Sequence, residues 1–128
     1  MYLTDVHSPE ARRRVQGAPP LILTALHRAE WAHALGQHQF RGTMTAETAQ
    51  RANSQWVSDE AASLWREASL PENAFELCGD LARRYGAKLG IRTLDSLHVA
   101  CALELKAERF WTFDERQAKL AKATGLKS

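Results

Sequence analysis

After Pro19-Pro20 the apolar positions form a short unbroken run, Leu21-Ile22-Leu23, closed by Thr24. A run of this length predicts a buried strand of the kind found in parallel sheets. From Ala25 to Arg41 the pattern changes: Leu26, Ala29, Ala32, Ala34, Leu35 and Phe40 recur at helical spacing, and Gly42 marks the stop. Thr45-Ala46-Glu47-Thr48 reads as the start of a second helix, on which Ala49, Ala52, Trp56, Val57, Ala61, Leu64 and Trp65 recur every third or fourth position. Ala68 to Leu70 predicts a brief strand. Pro71 then opens a helix carrying Ala74, Phe75, Leu77, Cys78, Leu81, Ala82 and Tyr85 and stopping at Gly86. Thr93 is placed to cap a helix from Leu94 to Lys106, where Leu94, Leu97, His98, Cys101 and Leu105 make one continuous stripe, so this helix is expected to be almost wholly buried. The aromatic, β-prone run Arg109-Phe110-Trp111-Thr112-Phe113 predicts a last strand, ended by Asp114, and a final helix runs from Glu115 to Thr124 with Gly125 as its cap. Upstream, Ser8-Pro9-Glu10-Ala11 reads as the start of a short helix that Gly17 ends.

Helices alternating with short apolar strands predict an α/β architecture with a parallel sheet, in which ligands gather beyond the carboxyl ends of the strands. Asp114 stands at such an end. The chain of 128 residues is expected to form a single domain, 1–128, with one core between two flanking layers. An apolar fraction of 45% with 25% charged residues excludes disordered and collagen-like classes.

No apolar run is long enough to span a bilayer, and Met1 to Arg14 has no apolar signal core, so the expected location is the cytoplasm, with no membrane partner. Lys and Arg total 17 against 15 acids, a net charge of +2 with a pI near 8.7. That balance permits attraction to nucleic acid without establishing it. Cys78 and Cys101 form no metal-binding or disulfide pattern and read as small core residues.

Three acids stand among apolar neighbours rather than in solvated charge runs: Glu30, Asp95 and Asp114. Carboxylates that converge repel one another and need a divalent cation to balance them, and hard oxygen donors suit Mg2+ or Mn2+. Such an ion activates water and neutralises charge developing on a phosphodiester. Each acid also has a purely structural explanation: Asp95 favours the dipole in a first helical turn, Asp114 is a competent N-cap, and Glu30 can face water.

Leu89 to Leu105 (LGIRTLDSLHVACALEL) followed by Phe110 to Gln117 (FWTFDERQ) resembles the C-terminal half of a PIN domain, in particular the toxin nucleases of bacterial VapBC-type toxin–antitoxin pairs. With Leu23-Thr24 through Glu30 included, the resemblance runs from about Ser8 to the C-terminus. It implies an α/β/α sandwich with acids gathered at strand ends, binding Mg2+ or Mn2+ for endonucleolytic cleavage of single-stranded RNA. On that basis Glu30, Asp95 and Asp114 are expected as catalytic metal ligands, and Thr112 as a supporting polar residue. RNA as substrate, a cognate antitoxin protein and a second copy of the chain are the expected partners.

The start of the chain departs from the family pattern. A PIN domain opens with a strand ending in Asp, then Thr or Ser and a first helix, whereas here Asp5 precedes Glu30 by only 25 residues (30 − 5) and Tyr2 to Ala11 resembles the loop after that helix. The first strand and helix are therefore expected to be missing, giving an N-terminally shortened fold. Two explanations stand: a start internal to a longer gene, which is favoured, or a shortened protein in which Met1 to Asp5 supplies the strand and Asp5 the acid. The alternative function is a catalytically impaired PIN-like scaffold or interaction module.

Other residues point to bland roles. His27, His33 and His38 are spaced so that no pair shares a face on adjacent turns, and solvated surface is expected for them. His98 is expected as a core histidine, and Trp31, Trp56, Trp65 and Trp111 as core or interface anchors, with base stacking left open for Trp111. Arg12-Arg13-Arg14 reads as a solvated basic run or a phosphate contact.

Overall fold

Leu21-Ile22-Leu23 does become a strand, β1 (Leu21–Leu23), with Leu23 inside the core at 2% exposure. The computed structural model describes residues 21–112 and 114–127. The predicted helix between Ser8 and Gly17 and the Asp5 question lie outside the described residues. The described chain divides into two compact units, residues 21–69 and 70–127.

In the first unit β1 is followed by α1 (Ala25–Phe40), α2 (Ala46–Ala61) and β2 (Trp65–Glu67). The strands pair in parallel with Leu21 opposite Trp65, Ile22 opposite Arg66 and Leu23 opposite Glu67. Backbone bonds from Leu21 N to the Leu64 carbonyl (3.0 Å) and from Ala68 N to the Leu23 carbonyl (2.8 Å) extend the ladder at both ends. The connection between them is the α1–α2 hairpin, as a parallel pair requires a long crossover. Trp31 and Leu35 project from one face of α1, Ala49 and Trp56 from one face of α2, and all are buried. Trp31 stacks on Trp56 with ring centroids 4.9 Å apart, and Trp56 meets Trp65 at 4.7 Å. The indole N–H groups of two of them are satisfied, Trp31 Nε1 by Asn53 Oδ1 and Trp65 Nε1 by the Trp56 carbonyl, each at 3.0 Å. The core role expected of these tryptophans is thus realised.

Thr45 caps α2 as predicted, its hydroxyl accepting from Thr48 N at 3.1 Å. The end of α2 corrects the sequence reading. Helical spacing runs on through Leu64 and Trp65, but Ser63 adopts φ +62° and the Leu64 N–H reaches back to the Asp59 carbonyl (2.9 Å), closing the helix at Ala61. Trp65 therefore enters β2, which lies at Trp65–Glu67 rather than at Ala68 to Leu70. Arg28 on α1 forms an ion pair with Glu67 on β2 at 2.9 Å.

The second unit contains α3 (Ala74–Leu89), α4 (Thr93–Glu104) and α5 (Glu115–Ala123). Helix α3 does not stop at Gly86 but continues a turn to Leu89, where Gly90 takes φ +64° and donates to the Gly86 carbonyl at 2.8 Å. Helix α4 is the core element: Asp95 through Ala102 are all buried, and Val99 and Ala100 are fully so. The expected burial is found for the middle of the stripe, including His98 at 2% exposure, but not at its ends, where Leu94 is 47% exposed and Leu105 half-buried. Its last turn ends at Glu104, two residues before the predicted Lys106, which instead takes φ +56°. Leu120 of α5, Ala74 of α3 and Leu81 of α3 complete this core.

Among the described residues of the aromatic segment before α5, no strand forms. These residues make one isolated parallel bridge, Arg109 with Lys127, and Phe110 N donates to the Lys127 carbonyl at 2.7 Å. β-propensity reflects fit to a pleated surface, and here a single bridge is all that forms. The architecture is mixed α/β with a parallel strand pair, consistent with an α/β/α PIN-like fold.

Candidate functional site

Asp95 owes its position to the way α4 begins. The cap is Arg92, not Thr93 as the sequence suggested: the Asp95 carboxylate, in the first turn, reaches back and takes the Arg92 backbone N–H on Oδ2 at 2.9 Å. This satisfies one of the helix's orphan donors and places a negative charge at the positive end of the helix dipole. The Arg92 guanidinium lies near the same oxygen, Nε to Oδ2 at 3.7 Å. Asp95 itself is 5% exposed, and its other oxygen, Oδ1, takes no hydrogen bond among the described residues. One carboxylate oxygen is therefore pinned and the other is uncommitted.

Asp114 is built similarly. Its Oδ1 accepts the Gln117 backbone N–H at 2.9 Å and so caps α5. Thr112 braces this turn, its hydroxyl accepting from Asp114 N (2.9 Å) and donating to Gln117 Oε1 (2.8 Å), with Gln117 buried. Thr112 and Asp114 are half-buried. The capping explanations for Asp95 and Asp114 are thus realised in the structure, and capping uses a single oxygen of each carboxylate.

Glu30 belongs to the first unit, half-buried on α1. One turn before it, His27 accepts the Thr24 backbone N–H on Nδ1 at 3.0 Å, which fixes the hydrogen-bearing nitrogen as Nε2 when the ring is neutral. Thr24 is buried and its hydroxyl lies 3.3 Å from the same Nδ1. Solvated surface is therefore correct for exposed His33 but not for His27 or for half-buried His38, whose Nδ1 meets Thr43 Oγ1 at 2.9 Å. Among the described residues no group of three or more His, Cys, Asp or Glu side chains stands ready to hold a metal.

Cys78 and Cys101 are free and buried, as expected. Burial pushes both thiols above their ordinary range, and Cys101 is raised further by the neighbouring Cys78 charge. Cys78 Sγ lies 3.6 Å from the Thr93 carbonyl at the start of α4. Raised thiols are poor nucleophiles, so neither is fitted to catalysis.

The residue that the sequence reading missed is Arg92. Its signal was the i,i+3 spacing of a cation and an acid across a helix start, Arg92-Thr93-Leu94-Asp95, hidden by the choice of Thr93 as cap. Buried Asp59, which accepts from Gln55 Nε2 at 2.8 Å, was missed as well, because it lies on a polar stretch of α2.

A mixed α/β protein with a parallel strand pair and carboxylates fixed at the starts of two helices is the class so defined. The sequence matches the family model for the PIN domain over residues 1–123, and the chain belongs to the PIN domain family. PIN domains are generally nucleases that require a divalent metal. Comparison with curated proteins and with solved structures gave no match. No helix among the described residues is long and apolar enough to cross a membrane.

Proposed function

We propose that the chain is a metal-dependent endoribonuclease of the toxin–antitoxin type, VapC-like, hydrolysing single-stranded RNA in the cytoplasm with Mg2+ or Mn2+ held by Glu30, Asp95 and Asp114. The observation that carries this reading is Asp95: a carboxylate 5% exposed, with Oδ2 fixed by a backbone N–H and Oδ1 uncommitted. The donor chemistry fits a hard divalent cation, because carboxylate oxygens are its preferred ligands. When bound, the cation supplies water activation and charge neutralisation at the phosphodiester. The chain's own part is orientation. The Arg92 main chain holds Asp95, and Thr112 with Gln117 holds Asp114, so neither carboxylate must be ordered at the moment of binding. Family membership supports nuclease chemistry; RNA as substrate, an antitoxin partner and self-association rest on the sequence resemblance.

The test joins calorimetric Mn2+ binding to cleavage of a labelled RNA, for the parent and for Asp95→Asn. Asparagine retains an oxygen for the Arg92 N–H, so the fold is kept while the charge is lost. Metal binding and cleavage by the parent, both lost in the variant, are expected; cleavage unchanged by Asp95→Asn would remove the assignment. A folded parent that binds no Mn2+ and cleaves nothing would establish the second reading, a catalytically impaired scaffold.

A further inference from the structure

Asp95 is accompanied by a cation whose reach exceeds its structural task. The Arg92 side chain is 67% exposed while that of Asp95 is 7% exposed, and among the described residues the guanidinium's one polar contact is Nε to Asp95 Oδ2 at 3.7 Å, too long for a hydrogen bond. The hydrogen bond that fixes Asp95 comes from the Arg92 main chain, so it does not require the guanidinium. Both terminal nitrogens, Nη1 and Nη2, make no hydrogen bond among the described residues. A planar fork of donors is thus held at the solvent edge of a buried acid, close enough to be drawn toward it and free to bind elsewhere.

We propose that Arg92 is a substrate-contacting residue, its guanidinium binding the phosphate backbone of the nucleic acid beside Asp95. The inference rests on the nuclease reading above and adds to it the group that holds the strand. Arginine is suited to this task because its fork meets two phosphate oxygens at once. Its placement also answers an electrostatic problem: a buried carboxylate repels an approaching phosphate, and a cation 3.7 Å from that carboxylate offsets the repulsion. Occupation of the acid by a divalent cation weakens the pull of Asp95 on the guanidinium, which leaves the fork to the substrate.

The test is fluorescence anisotropy of labelled oligouridylate, and of oligodeoxythymidylate of equal length, in Ca2+ buffer at salt concentrations from about 50 to 200 mM. The proteins are the parent chain, Arg92→Ala, Arg92→Lys and the surface control Lys88→Ala on the last turn of α3. Loss of one phosphate contact lowers the slope of log affinity against log salt by about 0.7, and weakens binding about fourfold near physiological salt. Arg92→Ala is expected to show both effects, and Arg92→Lys to recover the slope. Mn2+ affinity measured by calorimetry is expected to be no lower in Arg92→Ala than in the parent, because the lost guanidinium competed with the metal for Asp95. Equal losses with the ribo- and deoxy-oligonucleotide identify a backbone contact, as proposed; a loss confined to the ribo-oligonucleotide would replace the phosphate with a sugar or base contact and overturn it. Arg92→Ala binding like the parent, or Lys88→Ala losing as much, would also overturn it while leaving the nuclease reading standing. A fall in Mn2+ affinity with an unchanged salt slope would make Arg92 a positioning residue for Asp95 only. A parent that binds neither oligonucleotide would remove this inference and the nuclease reading together.

Discussion

The backbone N–H of Gln117 donates to Asp114 Oδ1 at 2.9 Å, so the carboxylate proposed as a metal ligand is also the N-cap of α5. The two roles separate by substitution. Asn caps a helix about as well as Asp, so Asp114→Asn is expected to keep stability within a few tenths of a kcal/mol while losing Mn2+ affinity and cleavage. Asp114→Ala removes the cap and costs about 1 kcal/mol as well. Urea melts alongside calorimetry check this. Equal stability loss in both variants would mean that charge, not the cap, holds the turn.

Raised thiols tie stability to alkaline pH. Cys78 and Cys101 hold their protons more tightly in the folded chain than in the unfolded one, because burial disfavours the thiolates. The stabilisation is therefore fully present below the unfolded thiol value, about 8.5, and is lost as pH rises through the raised folded values. Denaturant midpoints followed from neutral pH upward are expected to fall more steeply in the parent than in a Cys78→Ala/Cys101→Ala variant. Parallel curves would show that the thiols contribute nothing to alkaline unfolding.

How far the sequence could be read depended on how each element ends. The stops at Gly42 and Gly125 were legible because both glycines take positive φ, +73° and +92°. Ser63 and Lys106 make the same kind of turn without glycine, at +62° and +56°. Spacing alone therefore carried α2 on to Trp65 and α4 on to Lys106. At the site, Asp95 and Asp114 stood out as acids among apolar neighbours, but Arg92 looked like any exposed arginine until the N-cap was located. The aromatic run before Asp114 has strong strand propensity, yet Phe110 finds only Lys127 as a backbone partner, and no strand forms there among the described residues.

Gly86 and Gly90 give the same substitution opposite signs. Gly86 lies inside α3, and a Cβ there would meet nothing within 4 Å, so Gly86→Ala is expected to stabilise by about 0.5–1 kcal/mol through helix propensity and a stiffer unfolded chain. Gly90 has equal space but φ +64°, and Gly90→Ala is expected to cost about 1 kcal/mol. Thermal unfolding of the pair measures it. A destabilised Gly86→Ala would place the end of α3 at Gly86 after all.

Ser96 presents the last case. It is 1% exposed between Asp95 and Leu97, and its hydroxyl has no hydrogen-bond partner among the described residues. A buried hydroxyl left unpaired costs about 1–3 kcal/mol. Helix interiors also favour Ala over Ser by a few tenths of a kcal/mol. Ser96→Ala, which removes only that oxygen, is therefore expected to be stabilising by about 1 kcal/mol in urea melts, with Mn2+ affinity unchanged. Helical residues one apart do not share a face, so the Ser96 hydroxyl is not expected to join Asp95 in holding a cation. Loss of stability in Ser96→Ala would mean that the hydroxyl is hydrogen-bonded in solution, and loss of Mn2+ affinity that it contributes to holding the cation.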